Sequence, residues 1–510
     1  MRVLNICARK LPYSRHGTSF ARGLIGMTSI NAILKVGLII LEVAVLFNFI
    51  ILVHELGHFL AARWRGMVVD RFSIWFGKPL WQKKVGKVVW SLGSIPFGGF
   101  VSLPQMAPME WIEGRVLDNG EPLRPAKPLD KIIVALAGPL FSLALAFVFG
   151  SLVWFVGRPV SESETTTVIG YVAKDSPSAK AGLHVGDRIL SVDGHKVSRF
   201  HGMGDSVTWW VVASEGRTVK VEVERDGKQL VLEPEPSRDP VKGWHRENLR
   251  QLKIAPAETP MVAKVTPHSP AELAGLQPSD LLVAVNGVPL LHSNTLSDYL
   301  REHGTETVRL TVRRGNKVFE VPVTPEIPVA GGVEHTPMIG VAWDQTGLLT
   351  MSYPTPWEQV SGVVGNMINT FQALLSPKSD VKPQHLSGPV GIMRIYYLVF
   401  ENEHAWRMAL WFSVLLNVNL ALLNLLPIPM LDGGHIVLGL AEFVRRRPLS
   451  EPVVRWVQTI GATTVIGFIL YVTTFDLVDM RGPAAEEAKP PREELRFATP
   501  AGGATPAPAK

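Results

Sequence analysis

A single cysteine, Cys7, stands in a chain of 510 residues. No internal disulfide can form, and no cysteine-rich zinc module can be built. Any part of the chain in an oxidising compartment must fold on its apolar core alone. Charge is also scarce: Asp, Glu, Lys and Arg make up 19% of the residues, against 46% apolar. That is too apolar for an ordinary soluble chain and too charged for a bare helix bundle. The balance predicts a few membrane spans with sizeable water-exposed domains between them. The net charge of +6 is modest, and the basic residues sit beside apolar runs. This pattern suits anionic lipid headgroups and argues against a nucleic acid partner. Acidic residues are missing from positions 1–35, which carry Arg2, Arg9, Lys10, Arg15, Arg22 and Lys35. That N-terminal extension has no clear signal-peptide cleavage site, and Met27 is the expected true start.

Four apolar runs are long enough to cross ~30 Å of hydrocarbon. They are 36–61, 132–156, 408–435 with its apolar part ending near Leu426, and 453–475. Between the first two lies a basic stretch, 62–131, with Arg63, Arg65, Arg71, Lys78, Lys83, Lys84 and Lys87. Arg445, Arg446, Arg447 and Arg455 separate the last two. By the positive-inside rule both stretches are cytoplasmic, so both termini and the region between the second and third runs lie outside. Glu42 reads as an interfacial residue that snorkels. Within 62–131, residues 68–74 and 87–90 alternate like strands, and 93–101 is a turn-rich apolar piece. A hairpin dipping into the membrane is the reading taken here; an ordinary cytoplasmic hairpin competes with it. Residues 355–405 open as an amphipathic helix suited to a membrane surface. The tail 482–510 is rich in Pro, Ala and Glu and reads as disordered.

The outside region contains a repeat. Ser176-Pro177, Ala181-Gly182-Leu183, Asp187, Val192 and Gly194 recur as Ser269-Pro270, Ala274-Gly275-Leu276, Asp280, Val285 and Gly287. The offset is constant, so 160–235 and 258–326 are two copies of one unit. A strand, a turn, a helix and further strands suit a PDZ-like α+β module, which binds peptides or carboxyl termini by strand addition. Spacers or steric gates that bind nothing are the competing reading.

The chemistry concentrates in His54-Glu55-Leu56-Gly57-His58, inside the first apolar run. On a helix His54 and His58 lie one turn apart on one face, a spacing that suits a single zinc ion. Glu55 stands beside the first ligand, where it can accept a proton from a water activated by the metal. Ionisable groups at membrane depth cost ~2.5–3.5 kcal/mol each, so idle ones are rare there. A catalytic zinc site expects three protein ligands. The third comes from Asn424-Leu-Leu-Pro427-Ile-Pro429-Met-Leu-Asp432-Gly433-Gly434-His435, which closes the third run at the same depth. Its prolines break the helix, and irregular backbone presents either Asp432 or His435.

Together HELGH, the Ala137-Gly138-Pro139 start of the second run, the repeats, Leu386-Ser-Gly-Pro-Val-Gly391 and NLLPIPMLDGGH resemble the site-2 protease family. The likeness spans about residues 36–480 and points to the bacterial regulator-of-sigma-E branch with two tandem PDZ domains. It implies a polytopic α-helical membrane protein of four transmembrane helices, a membrane-reentrant β-hairpin and two extracytoplasmic PDZ-like domains. It implies an intramembrane zinc metalloprotease of the bacterial inner membrane, with its active site near the cytoplasmic face. His54, His58 and Asp432 match the zinc ligands, Asp432 being favoured over His435, and Glu55 matches the catalytic glutamate. Asn424, Pro427 and Pro429 match the segment that holds the substrate strand. The implied substrates are single-pass membrane proteins, such as pre-trimmed anti-sigma factors or leftover signal peptides. Three positions depart from the pattern: Ser142 stands where Asn is usual, Trp75 replaces a Gly, and Ser279 interrupts the Gly-Asp pair of the first repeat. A non-catalytic membrane scaffold is the competing function. It would need no metal.

Overall fold

The computed structural model describes residues 28–106, 126–241, 245–331, 336–344, 346–401, 403–481 and 494–498. The extension 1–26, the Met27 start and the rest of the tail 482–510 lie outside the described residues. Among the described residues, four helices are long and apolar enough to cross a membrane: Leu34–Trp64, Pro128–Val156, Ala405–Asn424 and Pro452–Met480. Large apolar side chains stand exposed along them, among them Val45, Phe155, Trp456 and Leu470. Such a surface is stable only against lipid or protein. The first helix, Thr28–Trp64, overruns the expected 36–61 at both ends, and the fourth, Glu451–Arg481, overruns 453–475.

The third run breaks near where its apolar part was expected to end. Its helix stops at Asn424, and Asp432 opens a separate helix, Asp432–Arg445. Pro427 and Pro429 cannot continue the ladder. Gly433 and Gly434 let the new helix pack onto the turn. A Cβ on them would lie 2.2 Å from Leu426 O and 2.4 Å from Ile428 O. The segment 355–405 is likewise two helices, Pro356–Leu375 and Pro389–Glu401. The first of these starts in a capping box, with Thr355 as cap, Glu358 reaching back and Pro356 in the first turn.

Two long strands, Arg71–Val85 and Val88–Ser102, pair antiparallel. The piece 93–101, read as turn-rich, is strand. Residues 71–74 pair on one side with 89–92 and on the other with 99–102. The second strand therefore folds over, and Gly99–Ser102 becomes an edge. Glycines permit the bend: Gly98 has φ +75°, and a Cβ on Gly93 would meet Phe76 O at 2.2 Å.

Each repeat unit holds a four-stranded antiparallel sheet over a helix, Val207–Ala213 in one and Ser293–His303 in the other. Both recurrent motifs have physical reasons. Ser176 and Ser269 cap a short helix with Pro in its first turn. Asp187 and Asp280 are fully buried and each is gripped by two guanidinium nitrogens, of Arg225 at 2.6 and 2.7 Å and of Arg314 at 2.7 Å each. The same arginines donate to Gly182 O and Gly275 O. Both units reach past their expected ends at 235 and 326. Ile254–Pro256 pairs with Ile169–Val172, and Val341–Trp343 pairs with Val262–Val265. A ribbon of Arg158–Ser161 with Leu349–Ser352 closes the base where the chain leaves and rejoins the apolar helices.

Candidate metal centre

The site forms where three elements meet. The first helix carries His54, Glu55 and His58; the second helix packs against it; the turn 425–431 delivers Asp432. The two helices touch because their contact residues are small. A Cβ on Gly57 would meet Ala137 O at 2.5 Å. Gly138 lies against the imidazoles themselves, since a Cβ there would sit 2.2 Å from His58 Nε2 and 2.9 Å from His54 Cε1. The Ala-Gly-Pro triplet thus does more than bring two backbones together.

Hydrogen bonds from the second helix orient both rings. His58 Nδ1 donates to Val134 O at 2.8 Å, which leaves Nε2 with a bare lone pair. His54 Nδ1 lies 3.0 Å from Ser142 Oγ. The departure at Ser142 therefore still supplies a polar partner behind the imidazole. The two Nε2 atoms are 3.2 Å apart. Asp432 Oδ2 is 3.2 Å from His54 Nε2, and Oδ1 is 3.4 Å from His58 Nε2. At most one of the two nitrogens can carry a proton at that separation, so lone pairs of an imidazole and of the buried Asp432 carboxylate converge on one point. Such an arrangement suits a cation. Two neutral imidazoles and a carboxylate within 4.8 Å of one another fit zinc.

His435 is buried and lines the same cavity, of about 170 Å³, but it is not part of the three-residue group. Its Nε2 has no hydrogen-bond partner among the described residues. Glu55 faces the cavity beside Val101, and the edge residue Gly99 would bring a Cβ within 3.5 Å of Glu55 Cγ. Asn424 also lines the cavity, with Nδ2 3.3 Å from His54 Nε2. Pro427 and Pro429 do not line it; they shape the turn behind it. Sequence reasoning missed two contributors. Met430, with φ +92°, makes the left-handed kink that aims Leu431-Asp432 inward. Val101 brings the strand edge to the site, and its signal in sequence was the Gly-Gly pair just before it.

The model of peptidase family M50 matches residues 42–468. A protein named "Putative zinc metalloprotease" from Neisseria meningitidis is 32% identical over 436 residues, covering 82% of this chain and 93% of that protein. The Regulator of sigma-E protease RseP of Escherichia coli is 28% identical over 452 residues, covering 82% and 93%. A PDZ domain of an SdrC-like protein of Listeria innocua is 27% identical over 17% of this chain and 96% of that one, with a TM-score of 0.16. Matched through both halves of its metal site, the chain belongs to peptidase family M50 and is a zinc metalloprotease of the membrane.

Proposed function

We propose that the protein hydrolyses peptide bonds within single-pass transmembrane substrates, with His54, His58 and Asp432 as zinc ligands and Glu55 as general base. One observation carries this reading. Ligand atoms from segments some 370 residues apart converge within 4.8 Å, buried among apolar helices and next to Glu55. Zinc held by His54, His58 and Asp432 would supply Lewis acidity and make a water acidic enough to ionise near neutral pH. Glu55 is placed to accept a proton from water and would pass it to the leaving amine. Asn424 donates from its amide to the substrate strand, while Pro427 and Pro429 keep the backbone there irregular.

A substrate helix hides its carbonyls and must unwind before it is cut. The edge Gly99–Ser102 runs beside Glu55, and we assign it to hold the unwound strand by β-pairing. On this reading the sheet 71–102 is a hairpin that reenters the membrane. The two repeat units are tandem PDZ-like modules outside the cytoplasm that bind or screen substrate ends, and the site opens toward the cytoplasmic face of the bacterial inner membrane. The name of the Escherichia coli relative favours a membrane-anchored regulator of transcription, such as a trimmed anti-sigma factor, over a leftover signal peptide.

The test is cleavage of a reconstituted single-span substrate by wild type and Glu55→Gln, with zinc assayed in both. The expected result is full zinc in both and cleavage by wild type alone. Cleavage by Glu55→Gln at the wild-type rate would remove Glu55 from the chemistry. Wild type holding no zinc would remove the ligand set.

A further inference from the structure

The chain does not end at the fourth helix. Residues 494–498, beyond the helix end at Arg481, lie against the second repeat unit. Arg496 N donates to Ala330 O at 3.0 Å, and Val329 N donates to Arg496 O at 2.9 Å. The segment alternates as a strand does: Glu494, Arg496 and Ala498 are exposed, while Leu495 and Phe497 turn inward. Phe497 is buried to 6% exposure. Its seat is Gly340, where a Cβ would come within 2.8 Å of Phe497 Cε2. The first unit lacks this seat. Gly340 O accepts from Thr266 N in the second unit as Lys253 O accepts from Ala173 N in the first. Lys253 thus occupies the corresponding place and pairs with Asp239.

We propose that residues 494–498 are a resident ligand of the second repeat unit, an extended segment with an aromatic anchor docked in cis. The surface recognises extended backbone through Val329 and Ala330 and one aromatic side chain through Gly340. Carried on the same chain as its seat, the segment competes at an effective concentration on the order of millimolar. A contact with an intrinsic Kd of ~100 μM would then be about 90% occupied. The proposal does not rest on proteolysis, and its readout is binding alone.

The test uses purified full-length chain in detergent and a fluorescent peptide with the sequence of residues 492–500, read by anisotropy. Wild type is compared with a chain ending at Arg481 and with full-length Phe497→Ala. Both altered chains should bind the peptide at least about tenfold more tightly than wild type, because the cis competitor is gone or weakened. A peptide with Ala in place of its Phe should bind none of them. Equal affinity for all three chains, or binding by none, overturns the proposal.

Discussion

Gly138→Ala changes no ligand and adds one methyl, yet it should disable the site. The new Cβ would lie 2.2 Å from His58 Nε2 and 2.5 Å from His58 Cε1. Relaxed contacts of this kind lie near 3.5 Å, so the ring must retreat by roughly 1 Å or more. It cannot do so freely, because Nδ1 is held by Val134 O at 2.8 Å. Either that bond breaks, at about 1 kcal/mol, or the helices part and the Gly57–Ala137 contact opens. A misplacement of ~1 Å at a reacting centre costs on the order of a hundredfold in rate. That is about 2.7 kcal/mol of activation free energy. The assay pairs zinc content per chain with cleavage of a single-span reporter in proteoliposomes. Gly467→Ala is the control, since that glycine sits in a helix with open space around it. The expected result is a fall of about a hundredfold or more in kcat/KM, with zinc reduced, for Gly138→Ala only. Full zinc and cleavage within about threefold of wild type would refute the reasoning, because Gly138 would then have room that the geometry denies it.

Two further outcomes follow from named contacts. Ser142→Ala removes the hydroxyl 3.0 Å from His54 Nδ1 and should weaken zinc binding about 10–100-fold, measured by competition with a chromophoric chelator; unchanged affinity would deny Ser142 that role. The second unit should lose stability on acidification through His292. Burial holds this imidazole below its ordinary value of 6.5, and its Nδ1 accepts from Asn294 N at 3.1 Å to cap the helix Ser293–His303. Tyr171 stacks on the ring, and Glu258 is the charged group that opposes the shift. The folded pKa is lowered, so the unfolded chain binds the proton first as pH falls. The contribution is complete above 6.5 and is lost as pH drops from there through the folded value. Melting temperature between pH 7.5 and 5 should therefore fall more steeply for wild type than for His292→Asn, which keeps a capping side chain but cannot titrate; parallel curves would dismiss the idea.

The sequence made the apolar runs, the repeat and the paired motifs legible because each depends on local pattern. Hydropathy needs only a window, and a constant offset needs only two copies. HELGH marked two candidate ligands because their spacing is that of one helical turn. The third candidate was harder. Asp432 and His435 are three residues apart, and only the kink at Met430 settles which one reaches His54 and His58. The strand edge at 99–102 was hidden because the Ile95-Pro-Phe-Gly-Gly99 stretch reads as a turn, while its fold-back depends on pairing with 71–74. The departures read differently in three dimensions. Trp75 takes the left-handed backbone a glycine would take, with φ +70°, at a cost of ~1–2 kcal/mol. Its indole then donates to Asn48 Oδ1 on the first helix at 2.8 Å, which offsets part of that cost. Ser279, with φ +72°, keeps the turn that Gly186 makes in the first unit, and Asp280 keeps its arginine.

The Leu386-Ser-Gly-Pro-Val-Gly391 motif carries no ligand, yet its glycines have a cause that links the repeat units to the membrane helices. Asp476, on the fourth helix, is 3% exposed. Its Oδ2 accepts from Gly388 N at 2.9 Å and Gly391 N at 2.8 Å, at the start of the helix Pro389–Glu401. A Cβ on either glycine would collide with the carboxylate at 2.8 Å. A helix start is where a carboxylate is best tolerated, but two N–H donors do not balance a buried charge. Arg246 completes it, donating to Asp476 Oδ1 at 2.6 Å and also to Gln384 O and Leu386 O. Arg246 belongs to the segment that closes the first repeat unit. Nearby, Arg250 and Arg238 converge on Asp380. Displacing the repeat units from the helices would strip Asp476 of its cation and leave a buried charge worth several kcal/mol. The position of the repeats over the helices is therefore fixed by an ion pair whose disruption is costly, and the glycines of the motif are the space that this ion pair requires.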